Sequence, residues 1–167
     1  MLTQRPLNRP SVWVNSRDLS FLTDEAEKAH PLETGGVFIG YWRKDGLDAV
    51  ITHVLGPGPA AVHTTDRFEP DTPYHVAEVA RIYRESGHIS TYLGDWHTHP
   101  ESEARLSALD RRTLREIAAD PGARAPRALM GVLAGASAWN LTVWVHSPWF
   151  TFLNWPCRPR SVQLQMY

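Results

Sequence analysis

The chain has 167 residues, enough for one domain with a sizeable core, and its 43% hydrophobic and 21% charged content is ordinary for a globular protein. Its 17 Lys and Arg nearly balance 18 Asp and Glu for a formal net charge of -1, with no basic block beyond pairs such as Arg111-Arg112, which argues against a nucleic-acid or polybasic membrane surface. The one cysteine, Cys157, excludes an intrachain disulfide and a Cys-based zinc knuckle, and no Pro-Cys-x-x-Cys of the zinc deaminases is present.

Met1 to Pro10 is polar and Pro-containing and does not read as a signal peptide. Val12 to Val14 predicts a short first strand. Arg17 to His30 predicts a helix with Leu19, Leu22, Ala26 and Ala29 on one stripe, ended by Pro31. Thr34 to Arg43 and Leu47 to Leu55 form a predicted hairpin around Lys44-Asp45-Gly46, where Asp-Gly is a strong turn signal. Gly56 to Pro70 reads as a loop, longer than the usual ~4–6 residues and so a functional candidate or a mobile flap. Thr72 as N-cap and Pro73 at the first helical position open a second helix, with Val76, Val79, Ala80 and Tyr83 as its stripe and Gly87 at its end. Ser90 to His97 is the predicted central strand, stopped by Pro100, and Ser107 to Ala119 a third helix closed by Asp120-Pro121-Gly122. Ala128 to Ala134 and Trp139 to His146 predict two strands around Gly135-Ala136-Ser137. Phe150 to Leu153 predicts one more before a polar, proline-containing tail. Helices and strands mix without strict alternation, so the expected class is α+β, a mixed sheet with helices packed on it. It forms one domain over 1–167, with a short N-terminal segment 1–11 and a C-terminal tail 154–167. No run of 18 apolar residues predicts a membrane span, and a cytoplasmic location is expected.

The chemistry concentrates after Gly94. His97 and His99 are separated by one residue, and the period of two on a strand puts both imidazoles on one face. Asp110 can return to that face from the first turn of the following helix. Two imidazoles and a carboxylate suit zinc, and three protein ligands leave a fourth tetrahedral position for water, as in catalytic sites. A carboxylate outside the ligand set must then move the proton, and Glu33, where a glycine-rich strand begins, is the candidate; Ser107 is the candidate donor to the oxyanion. Blander readings stand beside these. Ser107 with an acid three residues on is also a helix cap, which would hold Asp110 rigidly, and Glu33 alone would pass for a surface carboxylate. Trp96 faces away from the imidazoles by alternation and is expected to pack, as are most of the seven tryptophans. Asp95 shares a face with His97 and either orients an imidazole or pairs with a neighbouring positive group. His30, His53, His75, His88 and His146 show no ligand spacing. His63 stands apart only because its loop can fold near the metal.

Glu33, followed by His97-x-His99-x7-Ser107-x-x-Asp110, resembles the JAMM motif of the JAB/MPN/Mov34 metallopeptidases, with all five positions filled at the family spacing. The similarity runs from about Leu19 to Val145. It is nearest the short prokaryotic members, in which Gly-Pro-Gly-Pro (Gly56 to Pro59) and Phe-x-x-Asp (Phe68 to Asp71) precede the His motif. The family commonly has Pro before the Ser, and Leu106 here implies a less rigid loop. The resemblance implies a curved, mostly antiparallel mixed sheet flanked by helices, a cytidine-deaminase-like domain. It also implies one zinc per chain held by His97, His99 and Asp110, with Glu33 as general base and Ser107 stabilising the tetrahedral intermediate. The implied activity is that of an isopeptidase or peptidase cutting after the C-terminal glycine of a ubiquitin-like protein or its conjugate. Its implied setting is a bacterial ubiquitin-like conjugation or anti-phage (CBASS-type) operon. Processing of a sulfur-carrier protein and a non-catalytic MPN-type scaffold are the alternatives, though a scaffold has no chemical reason to keep all five residues.

Overall fold

A computed structural model describes residues 10–146 and 159–167 of the chain. In chain order the elements are β1 (Ser11–Val14), α1 (Ser16–Ala29), β2 (Gly35–Trp42), β3 (Asp48–Leu55), β4 (Val62–His63) and β5 (Phe68–Glu69). There follow α2 (Thr72–Glu85), β6 (Thr91–Pro100), α3 (Ala108–Ala119), β7 (Leu129–Gly135), β8 (Trp139–Val145), β9 (Arg160–Ser161) and β10 (Gln163–Met166). Among the described residues one mixed sheet runs in the order β10-β1-β3-β2-β6-β7-β8-β9, and β4 and β5 form a separate hairpin. Antiparallel pairs join β2 to β3 and β6, and β8 to β7 and β9. The parallel pairs are β1 with β3 and β10, and β6 with β7. The class is thus the α+β mixed sheet that the motif implied.

Alternation along the strands sorts the core into two layers. Leu129 and Leu133 of β7 face α1, with Leu22, Ala26, Phe38 and Trp96. Met130, Val132 and Ala134 face the other way, against Leu114 of α3. A smaller cluster of Val37, Ile39 and Ile82 seats α2 on that second face. The strand that carries the two candidate ligands is irregular. On β6 the register with β2 slips, Phe38 pairing with Gly94 and Ile39 with Tyr92, so Leu93 is an extra residue. Gly94 takes φ +147° there, where a Cβ would strike the Leu129 carbonyl. Leu93 and Trp96 consequently share the α1 face although three residues apart.

Several expectations need correction. α1 begins at Ser16 because the Asn15 side chain accepts from the Asp18 amide. The cap of α2 is Asp71, not Thr72. Its Oδ1 accepts from the Tyr74 amide and its Oδ2 from the Ala60 amide, so one carboxylate both opens the helix and ties down the preceding loop. β6 extends past His97 to end at Pro100, and the expected long loop contains the β4–β5 hairpin. Part of the expected polar tail is strand, since β10 pairs in parallel with β1. The predicted strand Phe150 to Leu153 and Cys157 lie outside the described residues. Among the described residues no helix is long and apolar enough to cross a membrane.

Candidate metal centre

His97 and His99 both point from β6 toward the α2/α3 side, as period two requires, while Trp96, one residue before His97, turns into the α1 layer, 1% exposed. The Trp96 indole N–H donates to the Leu55 carbonyl at 2.9 Å, so the expected packing residue also ties β6 to the end of β3. The two imidazole Nε2 atoms lie 3.1 Å apart.

Asp110 arrives from α3 through a capping box. Its amide donates to Ser107 Oγ at 3.1 Å, and the Ser107 amide donates to its Oδ2 at 2.7 Å. The carboxylate thus has little freedom, with Oδ1 at 3.2 Å from His97 Nε2 and Oδ2 at 3.6 Å from His99 Nε2. Burial alone would raise the pKa of Asp110. The hydrogen bond and charge of His97 and the amide and hydroxyl of Ser107 outweigh it and hold the carboxyl well below its ordinary range. His99 is pushed down, first by burial and then by the charge of His97, which favours the neutral ring a metal needs.

Glu33 precedes β2. The pairing of Gly35 with His97 sets it beside the ligand strand, and Thr98 fixes the offset. Thr98, fully buried between the two histidines, accepts from the Thr34 amide at 2.9 Å through Oγ1, and its own amide donates to the Thr34 carbonyl at 2.8 Å. Gly35 is where the backbone needs glycine. A Cβ there would meet the Trp96 carbonyl and come within 2.7 Å of the Phe68 ring. Burial raises the pKa of Glu33; His97 opposes this, and Asp110 and Asp66 add to it.

Glu33, His97, His99, Ser107 and Asp110 all line one pocket of about 420 Å³, with Phe68, His75 and Asp95 also on its wall. The structure therefore brings together every side chain singled out in the motif. Asp95 finds a partner that neither sequence alternative offered: the Tyr92 hydroxyl donates to its Oδ1 at 2.6 Å, a contact made possible by the slip at Leu93. Desolvation raises the pKa of this half-buried carboxyl, against Tyr92, His75 and His97. His75 is a buried residue whose Nε2 bonds the Gly56 carbonyl at 2.7 Å. The expected apolar stripe of α2 meets the core only in part. Val79 packs against the cluster of Val37, Ile39 and Ile82, whereas Val76 is 64% exposed, and the helix also buries His75. Val76, Val79 and Tyr83 line a groove of about 910 Å³ between α2 and α3, which shares Val37, Pro70, His75, Asp95 and Thr113 with the pocket.

His97, His99 and Asp110 form the one group of three metal-capable side chains among the described residues, their ligand atoms all within 4.8 Å of one another. A tetrahedral zinc with bonds of about 2.0–2.1 Å sets its ligand atoms about 3.3 Å apart. The two Nε2 atoms at 3.1 Å and His97 Nε2 with Asp110 Oδ1 at 3.2 Å match that spacing, while Asp110 approaches His99 through its other oxygen, at 3.6 Å.

Comparison with known proteins decides the family. Residues 17–149 match the prokaryotic homologs of the JAB domain. The chain belongs to the prokaryotic JAB-domain metallopeptidases. This JAB domain is 41% identical over 136 residues, 80% of the chain and 82% of the relative, to "Probable metalloprotease y4qB" of Sinorhizobium fredii. Over shorter stretches it resembles proteins named "CD-NTase/cGAS isopeptidase". The Escherichia coli one is 37% identical over 47% of this chain and 49% of its own length. That of Vibrio cholerae is 34% identical over 50% and 52%. The solution structure of protein DSY2949 from Desulfitobacterium hafniense superposes with a TM-score of 0.67 over 93% of this chain and 92% of that one. At 17% identity it speaks for the fold of the JAB domain alone.

Proposed function

We propose that this JAB domain is a zinc-dependent isopeptidase or peptidase that cleaves after the C-terminal glycine of a ubiquitin-like protein, free or joined to an amine of a target. The convergence of a His-His-Asp ligand set with Glu33 and Ser107 in one pocket carries this reading. In it, residues 1–167 act as one domain in a bacterial cytoplasm, within a ubiquitin-like conjugation or anti-phage system. The relatives named CD-NTase/cGAS isopeptidase support an isopeptide bond to such an enzyme as the target class. The groove between α2 and α3, continuous with the pocket, supports a substrate larger than a short peptide.

His97, His99 and Asp110 would hold the zinc. When bound, the ion supplies Lewis acidity, lowering the pKa of water toward about 7 and polarising the scissile carbonyl. Glu33 takes a proton from the attacking water and delivers it to the departing amine, and its raised pKa brings it closer to the working pH. The Ser107 Oγ accepts from the Asp110 amide, and its proton, which favours the Asp110 carboxylate in the resting site, turns to the oxygen that gains charge. The water oxygen adds to the acyl carbon, and the C–N bond breaks as the amine leaves with the proton from Glu33, so no acyl-enzyme forms.

The test is a zinc-loaded digest of a glycine-terminated ubiquitin-like protein amide-linked to a CD-NTase-type enzyme, followed by intact mass in oxygen-18 water. Release of the tail with one label in its new carboxylate is expected, abolished by a zinc chelator and by Glu33→Gln. Equal cleavage of tails ending in Leu or Phe would overturn the glycine-tail reading.

A further inference from the structure

At Glu33 the chain leaves the support of the sheet. Thr34 is tied to Thr98, but the polar backbone groups of Glu33 turn to the β4–β5 hairpin instead. The Glu33 amide donates to the Thr64 carbonyl at 2.7 Å, and His63 Nδ1 lies 2.9 Å from the Glu33 carbonyl. The His63 ring is itself held. It packs against Phe68, its cross-strand partner, with ring centroids 5.5 Å apart, and Phe68 is seated on Gly35. His63 is absent from the wall of the pocket that Phe68 lines, so anything it does for the reaction passes through Glu33.

We propose that His63 is a positioning residue for the general base, its imidazole clamping the Glu33 backbone so that the carboxylate meets the attacking water at a fixed reach. The proposal rests on the reading of Glu33 as base. A carbonyl only accepts, so Nδ1 carries the proton, and the ring is fixed in that state by a partner thirty residues away in sequence. Thr98 anchors the residue after Glu33 to the ligand strand, and His63 with Thr64 anchors Glu33 itself. Two clamps on adjacent residues remove the pivot about which the carboxylate would otherwise swing, and small misplacements of a reacting group cost rate steeply.

The experiment compares His63→Ala, His63→Asn and Glu33→Gln in the full chain. Rates are read on the C-terminal aminocoumarin amide of a glycine-terminated ubiquitin-like protein, and Glu33 amide hydrogen exchange on the metal-free chain. In His63→Ala, kcat should fall roughly tenfold or more with KM and bound zinc little changed, and the Glu33 amide should exchange faster. Asn can offer a side-chain N–H near the Nδ1 position, so His63→Asn should recover most of both losses. Nitrogen-15 spectra of the unmutated chain should show the His63 ring protonated at Nδ1. A His63→Ala kcat within twofold of wild type with unchanged Glu33 exchange would overturn the proposal, as would a ring protonated only at Nε2. If His63→Ala does not fold, His63→Asn and the ring spectrum decide. If Glu33→Gln cleaves at the wild-type rate, the base assignment fails by itself, and the exchange and ring spectra still decide whether His63 clamps Glu33.

Discussion

Ser107→Ala separates two roles that the structure assigns to one hydroxyl. The substitution deletes the 3.1 Å bond from the Asp110 amide to Oγ and leaves the 2.7 Å bond from the Ser107 amide to Asp110 Oδ2, because the backbone donor remains. Loss of a Ser cap costs about 0.5–2 kcal/mol, and with half of the capping box intact a value of about 1 kcal/mol is expected. For a domain of this size that lowers Tm by about 2–4 °C. A cap alone would do nothing more, since the surviving bond and His97 still hold the Asp110 carboxylate. An oxyanion donor is worth about 10²-fold in kcat, or about 2.7 kcal/mol, more than twice the stability change. Thermal melts, metal content and steady-state kinetics on the one variant separate the effects. A kcat within threefold of wild type at full metal occupancy would refute the donor role. Activity falling in step with metal would show instead that Ser107 acts through Asp110.

Further substitutions test the same geometry. His97→Ala should abolish metal binding and turnover together while the fold persists; Asp110→Ala should do the same and also lower Tm, because the Ser107 amide loses its acceptor. Metal analysis and melts read both. Glu33→Gln should keep the metal but lose about 10²–10⁴-fold in rate. Because burial raises the Glu33 pKa, the folded state holds that proton more tightly than the unfolded one, so the ionised carboxylate weakens the fold above the raised pKa. The Gln variant should therefore melt no lower than wild type at neutral pH, and any advantage should vanish as the pH falls through the wild-type Glu33 pKa. Thr98→Val leaves the buried Thr34 amide without its Oγ1 acceptor, a loss of about 1–3 kcal/mol that Thr98→Ser should largely restore in denaturant melts.

Features governed by neighbours within a few residues were legible in the sequence. The His97 and His99 pair needs only strand parity, and the Ser107 to Asp110 box closes within three residues. The Lys44-Asp45-Gly46 turn is likewise local. What escaped depends on distant partners. Asp71 and Thr72 both carry capping oxygens, and Ala60, eleven residues before Asp71, favours the former. The period of Val76, Val79 and Tyr83 is truly helical, but periodicity does not tell which member of a stripe meets the core, as Val79 does, and which lies exposed along a groove, as Val76 does. β10 joins β1 in parallel across most of the chain, and although Gln163-Leu164-Gln165-Met166 alternates as a strand does, four residues are too short a run to announce one. The clamp on Glu33 comes from a histidine whose target is a backbone carbonyl, which leaves no mark in residue types.

The slip at Leu93 makes the centre depend on chain parity as well as on side chains. Tyr92, Asp95, His97 and His99 share a face only because one extra residue is accommodated between Tyr92 and Asp95. Upstream of that point β6 is tied to β2 through Tyr92 and Thr91, downstream through Asp95, Trp96 and His97. Removing one residue from Leu93-Gly94 would abolish the bulge and leave a regular strand, with Tyr92 and Asp95 two residues apart and still on the face of the imidazoles. Straightening the strand at unchanged length has the opposite outcome. A bulky residue at Gly94 meets the Leu129 carbonyl at φ +147°, and a strand made regular to avoid that contact would set Tyr92 and Asp95, three residues apart, on opposite faces. One half would then turn over, carrying either Tyr92 or the two imidazoles into the apolar layer of Leu22 and Ala26.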